Sequence, residues 1–508
     1  MRYGLRLSRR RPRVRVPSLP PLHRFRFTYT RVDTIPLITD PGRRYQRVAY
    51  GYAVAVALLM GTFLLAIPVQ LSDSFTEFIS VHAHTLSQVI GAEFYNGTYF
   101  RPFRRALIKI VYDLSGGHYY AAFRGFQALQ VLVLLLLIVR MLRVRSAAAL
   151  VSLPLGLAMV IGVHTFAGAV VEGLPVNHFL TILICCAAAM NLAQAKQRAL
   201  WTDAAAVTLL VCAMLTIESG LLIWVIFIAA YAVGYRGVSR PALIVLTVCL
   251  GSYFLGRFIL IGGAAPGLNE RSAGFGFSVL NPDELVARFG HNPIPFYAYN
   301  VVSAISCVLF AEPRGGVWMF VRELLRGRPE PWQFVNVVTS VTTTLLIARF
   351  AAVRWPNWRG GEFDEADRFV IIFLAVLPSN ALFAGGYEKD VIMSPAGLFY
   401  GAAAYFVLRE RLSGLKVPSL TPAVMLLLAV GWSVRFIGIH DSLRARALSV
   451  REEWAYYDDW VREQPRPVPL TQEEQTIKQR LYEDAVLRAP RVPQLSLGVM
   501  ERFVDFSQ

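Results

Sequence analysis

Residues 121–142 read AAFRGFQALQVLVLLLLIVRML, and this stretch determines the fold class. No charged residue lies between Arg124 and Arg140, and a helix of about 20 apolar residues spans the roughly 30 Å hydrocarbon core of a bilayer. By the same measure the rest of the sequence brings the predicted number of spanning helices to eleven. They are residues 48–70, 121–142, 147–165, 173–195, 203–219, 220–234, 241–261, 333–353, 369–386, 391–408 and 419–438. The sequence therefore predicts an all-α polytopic membrane protein.

The composition excludes most other classes of protein. Hydrophobic residues make up 55% of the 508 residues, charged residues 17%, and the mean hydropathy is +0.46. A soluble domain carries about 25% charged residues, and a disordered, collagenous or coiled-coil chain is far more polar. The five cysteines lie in apolar stretches without metal-site spacing, so we predict buried free thiols and no disulfide.

Positive charge is concentrated at the N-terminus. Residues 1–47 hold 13 arginines and two acids. Nucleic-acid binding is one interpretation of the arginine-rich stretch 9–15. Because a long apolar segment follows, the positive-inside rule instead favours a cytoplasmic membrane anchor. We therefore predict that residues 1–47 form a basic cytoplasmic segment and that the protein has no nucleic-acid partner.

The direction of each span depends on residues 295–312, which are apolar but ambiguous. If they cross the membrane, the later basic turns around Arg354 and Arg409 fall outside. If they enter and return on one side, those turns fall inside, as the positive-inside rule prefers. We therefore predict that residues 295–312 enter and return on one side. The chain then crosses the membrane eleven times, with the N-terminus in the cytoplasm and the C-terminus outside.

This topology defines the predicted domain organisation. A transmembrane domain over residues 48–438 carries two large external loops, 71–120 and 262–332. Residues 439–508 form a short external tail, in which residues 441–461 predict an amphipathic helix that ends before a proline-rich stretch.

The first external loop contains the densest set of candidate functional residues. Asp73 and Glu77 lie one helical turn apart just past the first span, and Arg101, Arg104 and Arg105 begin an amphipathic stretch. A carboxylate at the membrane face can act as a general base, and clustered arginines can bind a phosphate. The alternative is an interfacial helix whose arginines contact lipid headgroups.

A metal site in this loop is a weaker hypothesis. His82, His84 and Glu93 could hold an ion only if this stretch is extended, since residues i and i+2 of a helix point to different sides. We assign no metal-binding residues and no certain cofactor, and a divalent cation stays an open alternative.

Further ionisable groups lie in or beside predicted spans, where such groups often mark functional sites. By the predicted topology all of them lie at the outer face, although structural pairing explains them equally well. They are Glu172, His178, Glu218 and Lys389. A site at the outer face suits chemistry on a lipid-linked substrate better than transport, since a transporter binds its substrate near the midplane.

The order of several short motifs resembles the GT-C membrane glycosyltransferases, and most of all the protein O-mannosyltransferase type and the tetratricopeptide-type transmembrane mannosyltransferases. The tetratricopeptide tail of the latter is missing here. The motifs that carry the resemblance are Tyr99-Phe100-Arg101-Pro102, Tyr112-Asp113-Leu114-Ser115-Gly116-Gly117, Val163-His164-Thr165 through Glu172, Thr216-Ile217-Glu218 and Tyr387-Glu388-Lys389-Asp390.

The resemblance implies a GT-C-like bundle that transfers a sugar from a polyprenyl-phosphate donor to an envelope acceptor, with inversion. It implies that Asp73 is the catalytic base, supported by Glu77 because Ser74 interrupts the acidic pair of the family. The donor phosphate would contact Arg101, Arg104, Arg105 and Lys389. The substrate would contact Tyr99, Glu172, His178, Glu218 and Tyr387.

Two functional hypotheses follow from these residues. The first is a glycosyltransferase on the outer face of a bacterial inner membrane, with the polyprenyl-phosphate sugar and membrane lipids as partners. The second is a non-catalytic scaffold or assembly subunit of envelope biogenesis on the same fold, which the interrupted acidic pair favours. A secondary transporter ranks below both, because the sequence shows no inverted repeat.

Overall fold

The protein is helical almost throughout. The computed structural model describes residues 41–65, 72–95, 100–162, 176, 178–196, 199–263, 272–273, 279–312, 316–386, 390–413, 426–438, 440 and 469–488. Within these residues the only strands are an antiparallel pair of two residues each, β1 (Ser272–Ala273) and β2 (Val279–Leu280).

The described helices fall into a main bundle, helices inserted between its segments, and one helix near the C-terminus. Those of the bundle are α1 (Pro41–Leu64), α5 (Tyr119–Leu142), α6 (Ala147–Gly162), α7 (His178–Ala193), α8 (Leu200–Met214), α9 (Leu222–Ala232), α10 (Arg240–Phe254), α14 (Pro331–Arg359), α15 (Glu365–Ala384), α16 (Ser394–Ser413) and α17 (Leu426–Gly438). The others are α2 (Ser72–His82), α3 (Leu86–Ala92), α4 (Pro102–Ser115), α11 (Pro282–Phe289), α12 (Ile294–Phe310), α13 (Val317–Leu325) and α18 (Gln472–Arg488).

The helices have the length and composition of a membrane protein. Among the described residues, five helices are long and apolar enough to cross a bilayer, or six if the bent pair α11–α12 forms one span. Each of the eleven apolar segments predicted from the sequence overlaps a helix of the bundle. The all-helical membrane class is therefore confirmed.

The predicted break between residues 203 and 234 is also confirmed. Helix α8 ends at Met214, and a 3-10 turn over Glu218–Leu221 leads into α9. Gly220 allows this turn, because a Cβ atom at this position would collide with the backbone of Ala213. The turn leaves Glu218 partly exposed at one end of two apolar helices, whereas Thr216 and Ser219 are buried.

The centre of the bundle is α16, and α10 lies at its edge. In the apolar window of Val391–Arg411, 94% of the residues are buried inside the protein, against 17% for Arg240–Leu260. Glycines allow α6 and α16 to pack closely, since a Cβ atom at Gly156 would collide with the ring of Tyr405. Small residues at helix contacts are the usual way in which membrane helices associate.

A second apolar core lies outside the bundle and joins the first loop to the C-terminal part of the chain. Phe78 of α2 and Ile108 of α4 are buried in it together with Ile477 and Leu481 of α18. Sequence reasoning missed α18 because its polar sides dominate its composition. The helix predicted at 441–461 lies outside the described residues.

Candidate functional site

An ion-pair network holds the helices of the first loop together. The carboxylate of Glu77 on α2 accepts from the Nη1 atoms of Arg104 (2.8 Å) and of Arg105 on α4. Arg105 Nη1 also donates to Ser80 Oγ at 2.8 Å. Both arginines are more than three-quarters buried, so their charges are directed to Glu77 rather than to solvent. These contacts favour a structural role for Glu77, Arg104 and Arg105.

Glu93 completes the network from the 3-10 turn after α3. It is 4% exposed, accepts the backbone N–H of Arg101 at 2.8 Å, and lies 3.2 Å from Arg105 Nε. His82 Nδ1 bonds to the carbonyl of Ile79 at 2.7 Å. No group of three His, Cys, Asp or Glu side chains suited to a metal ion occurs in the described part of the chain.

Arg101 points away from this network toward the break between α8 and α9. Its Nη2 atom lies 3.5 Å from Glu218 Oε2. Two features hold the start of α4 against the break between α8 and α9. Pro102 begins α4 immediately after Arg101, and the backbone N–H of Phe103 donates to Leu215 O at 3.0 Å. The side chains of Arg101 and Glu218 remain 19% and 39% exposed. The loop and the helix break therefore form one polar surface, which we call the loop site.

A second arginine, Arg257, is buried near Tyr253, which also lies near the loop site. Arg257 lies in the π-helical turn Leu255–Leu260 that follows α10 and is 4% exposed. Tyr253, one turn earlier, is 8% exposed and within electrostatic range of Glu218, Arg101 and Arg257. Sequence reasoning missed Arg257, although a single arginine inside the otherwise apolar segment 241–261 was a usable signal.

The structure brings together some of the residues predicted from the sequence and leaves others undescribed. Asp73 lies in the first turn of α2, four residues before Glu77, and its side chain is outside the description. Tyr99, Glu172, Tyr387 and Lys389 lie outside the described residues. His178 is buried at the start of α7 with its ring 4.2 Å from that of Phe179.

A row of buried polar side chains runs into the bundle along α5. Arg124, Gln127 and Gln130 face inward at successive turns, and each is less than 7% exposed. Arg124 donates to Gln127 Oε1, and Gln130 Nε2 donates to Thr181 Oγ1 of α7 at 2.9 Å. The row starts at the end of α5 that is next to the first loop. Sequence reasoning assigned no role to these residues.

The C-terminal helix covers the turn between α4 and α5. The Arg480 guanidinium lies against Gly117, whose φ of +87° belongs to the left-handed region. Below it the rings of Tyr112 and Tyr119 stack at 5.3 Å. Burial, followed by the hydrogen bond with Tyr119, raises the pKa of Tyr112, so this hydroxyl stays neutral at physiological pH. The tail is thus part of the same surface as the first loop.

Of the arginines in the first loop, Arg101 has the geometry of an exchangeable anion ligand. Its contact with Glu218 is long and partly exposed, whereas Arg104 and Arg105 are closely paired with Glu77 and more deeply buried on average. A phosphate group bound to a guanidinium by two hydrogen bonds would compete well with such a contact.

No family model, curated protein or solved structure matches this chain. The chemistry of the loop site is therefore argued from its geometry.

Proposed function

We propose that the protein is a membrane glycosyltransferase of GT-C type, which transfers a sugar from a polyprenyl-phosphate donor to an envelope acceptor. The observation that carries this proposal is the Arg101–Glu218 contact of 3.5 Å. It joins a cation that can bind a phosphate to a carboxylate that can orient a sugar hydroxyl, at the end of apolar helices that a lipid chain can follow.

In this proposal the reaction is a single displacement at the anomeric carbon. Asp73 takes the proton of the acceptor hydroxyl, the acceptor oxygen bonds to the anomeric carbon, and the bond to the phosphate oxygen breaks. The departing phosphate carries the electron pair, and Arg101 stabilises its charge. Arg257 contributes further positive charge from α10. Glu77 holds Arg104 and Arg105 and thereby fixes the position of α2, which carries Asp73.

The proposal requires the loop site to face the outside of a bacterial inner membrane, with the N-terminus in the cytoplasm. Contacts at the other end of the bundle support eleven crossings. Arg143 donates to Gln194 O at 2.8 Å, and the backbone N–H of Ser239 donates to Asp203 Oδ1 at 2.9 Å. Arg143 also lies 3.5 Å from Glu365. The turns after α5, α7, α9 and α14 therefore share one side.

If the turns after α9 and α14 lie on one side, α10 and α14 each cross the membrane once. The segment between them must then start and end on the opposite side. Asn300 of α12 donates to Gly385 O, at the loop-site end of α15, over 2.9 Å. Leu309, near the other end of α12, accepts from Thr344 at 2.8 Å. Thr344 is close to the middle of the 29-residue α14. These contacts support an α12 that enters from the outer side, ends near the midplane and returns through α13.

The test uses full-length protein in membranes that contain its native lipid-linked sugars. Arg101→Gln and Asp73→Asn should each reduce sugar transfer at least about a hundredfold, since each removes a group that the proposed transition state requires. Arg328→Gln is the matched control, because Arg328 is an exposed arginine between α13 and α14. Full activity in folded Arg101→Gln protein would overturn the proposal.

One observation favours the alternative of a non-catalytic scaffold. Glu77, Glu93, Arg104 and Arg105 satisfy one another as a structural element does. On this alternative a strain lacking the protein would lose an envelope assembly, and Asp73→Asn protein would restore it fully. The enzyme hypothesis predicts no restoration by this variant.

A further inference from the structure

A second charged site lies at the opposite end of the bundle from the loop site. A cavity of about 520 Å³ opens where α5 ends and α6, α15 and α16 meet. We call it the arginine cavity. Its lining consists of Arg143, Arg145, Ser146, Ala148, Tyr235, Glu365, Arg368 and Arg409. Four arginines and one carboxylate in a single cavity leave a clear excess of positive charge.

The carboxylate neutralises only part of this charge. Glu365 accepts from Arg409 at 2.6 Å and lies 3.5 Å from Arg143. Arg145 and Arg368 have no carboxylate within ion-pair distance among the described residues. The Nε atom of Arg368 is buried without a hydrogen-bond acceptor in the same part of the chain. The cavity therefore presents cations that its own acid does not satisfy.

A buried tyrosine hydroxyl points to a missing acceptor. Tyr235 is 6% exposed, and the side-chain amide of Gln194 acts on its Oη atom as a donor, so the hydroxyl proton has no acceptor among the described residues. Its ring lies between the guanidinium groups of Arg143 (5.8 Å) and Arg368 (5.1 Å). Burial raises the pKa of Tyr235, so the hydroxyl keeps its proton and can donate it to an anion. A buried donor without an acceptor is costly unless a ligand supplies one.

The start of α6 adds backbone donors to the same cavity. Ser146 Oγ caps this 16-residue helix by accepting the N–H of Ala149 at 3.2 Å, and Ser146 and Ala148 line the cavity. The first N–H groups of a helix carry partial positive charge and bind phosphate well.

We propose that the arginine cavity binds a phosphate ester, held by Arg145, Arg368, the Tyr235 hydroxyl and the first turn of α6. The cavity volume of about 520 Å³ accommodates a headgroup or a small phosphorylated molecule. A phospholipid headgroup and a free phosphate share this chemistry. The site lies at the far end of α5 from the loop site, and the proposal does not depend on the proposed function.

The experiment measures both sources on the full-length protein. In the lipid arm, native mass spectrometry counts phosphatidylglycerol retained by protein from nanodiscs of phosphatidylglycerol and phosphatidylcholine. In the soluble arm, protein in nanodiscs of phosphatidylcholine alone is titrated with inorganic pyrophosphate while thermal unfolding is followed. The variants are Arg368→Gln and Tyr235→Phe, and the control is Arg411→Gln, an exposed arginine on α16 outside the cavity.

The expected result is binding in at least one arm that Arg368→Gln and Tyr235→Phe weaken about tenfold and Arg411→Gln leaves unchanged. Binding in the lipid arm alone identifies a headgroup site, and binding in the soluble arm identifies a site for a free phosphate ester. Tyr235→Phe keeps the ring between the two arginines, so it tests the hydroxyl without removing the packing. No binding in either arm, or equal binding by all variants, would overturn the proposal.

Discussion

At the scale of single residues, exposure and pairing distinguish the charged groups of the first loop from one another. Arg101 and Arg105 are four residues apart, yet Arg105 contacts Glu77, Glu93 and Ser80, whereas Arg101 reaches outward to Glu218. The sequence identified this set of residues but could not distinguish their roles. Their partners come from segments up to 117 residues away, and only the packed structure brings these segments together.

A buried histidine predicts a pH dependence of stability. Burial lowers the pKa of His440 to about 4, and its Nδ1–H donates to Phe436 O at 2.9 Å. The unfolded chain takes up a proton below about pH 6.5, whereas the folded protein stays neutral until about pH 4. The free energy of unfolding should therefore fall as the pH decreases from 6.5 toward 4, by at most about 1.4 kcal/mol per pH unit.

Thermal unfolding of the purified protein at pH 7.5 and pH 5 checks this prediction. His440→Gln should lose less stability over this interval than the unsubstituted protein does. His84→Gln is the control, since His84 is exposed and its replacement should leave the pH dependence unchanged. Identical pH profiles for His440→Gln and the unsubstituted protein would contradict the account.

At the scale of helices, the C-terminal helix α18 stabilises the first loop. Ile477 and Leu481 of α18 are buried against Phe78 and Ile108 of the loop helices. The Gly116–Gly117 turn permits this docking because both residues have positive φ values, +55° and +87°.

Two adjacent glycines allow this docking to be tested. Gly116→Ala adds only the cost of a left-handed backbone, about 1 kcal/mol, because the space around Gly116 is open. Gly117→Ala adds the same cost and a collision with the Arg480 guanidinium. The guanidinium is the flexible end of its side chain and can move aside, so we expect limited trypsin digestion to remove α18 only modestly faster from Gly117→Ala protein than from Gly116→Ala protein. Slower removal from Gly117→Ala protein would contradict the contact of Arg480 with this turn.

Much of the element pattern could be predicted from the sequence, because bilayer thickness sets the length of an apolar segment. The break at Glu218 could be predicted for the same reason, since the apolar segment 203–234 is too long for one span and must turn within its length. The helices α11, α13 and α18 were missed as elements, since hydropathy alone gives little signal for short or polar helices. Helix α12 matches the apolar segment 295–312 of the sequence, but its position depends on tertiary contacts such as that of Asn300 with Gly385, which hydropathy does not encode.

At the scale of the whole molecule, two charged sites lie at opposite ends of one helix bundle. The loop site involves Arg101 and Glu218, and the arginine cavity lies beyond the C-terminal end of α5. The docking of α18 onto the first loop places the C-terminal part of the chain on the same side as that loop. The proposed eleven-span topology predicts this arrangement.

Labelling with a membrane-impermeant maleimide tests this topology. Arg328→Cys and Glu483→Cys should react in intact cells, since both positions are exposed at the loop-site end. Glu362→Cys, in the exposed turn between α14 and α15, should react only after permeabilisation. The unsubstituted protein, with its five buried or partly buried cysteines, gives the background. Labelling of Glu362→Cys in intact cells would contradict the eleven-span topology.

The most direct measurement is a density map of the protein in nanodiscs supplied with a polyprenyl phosphate. We predict a phosphate beside Arg101, with the Arg101–Glu218 contact of 3.5 Å opened to admit it and the lipid chain running along the apolar helices. The same density should be absent from Arg101→Gln protein and present in Arg328→Gln protein. A loop site that stays lipid-free with the Arg101–Glu218 contact closed would contradict the proposed donor site.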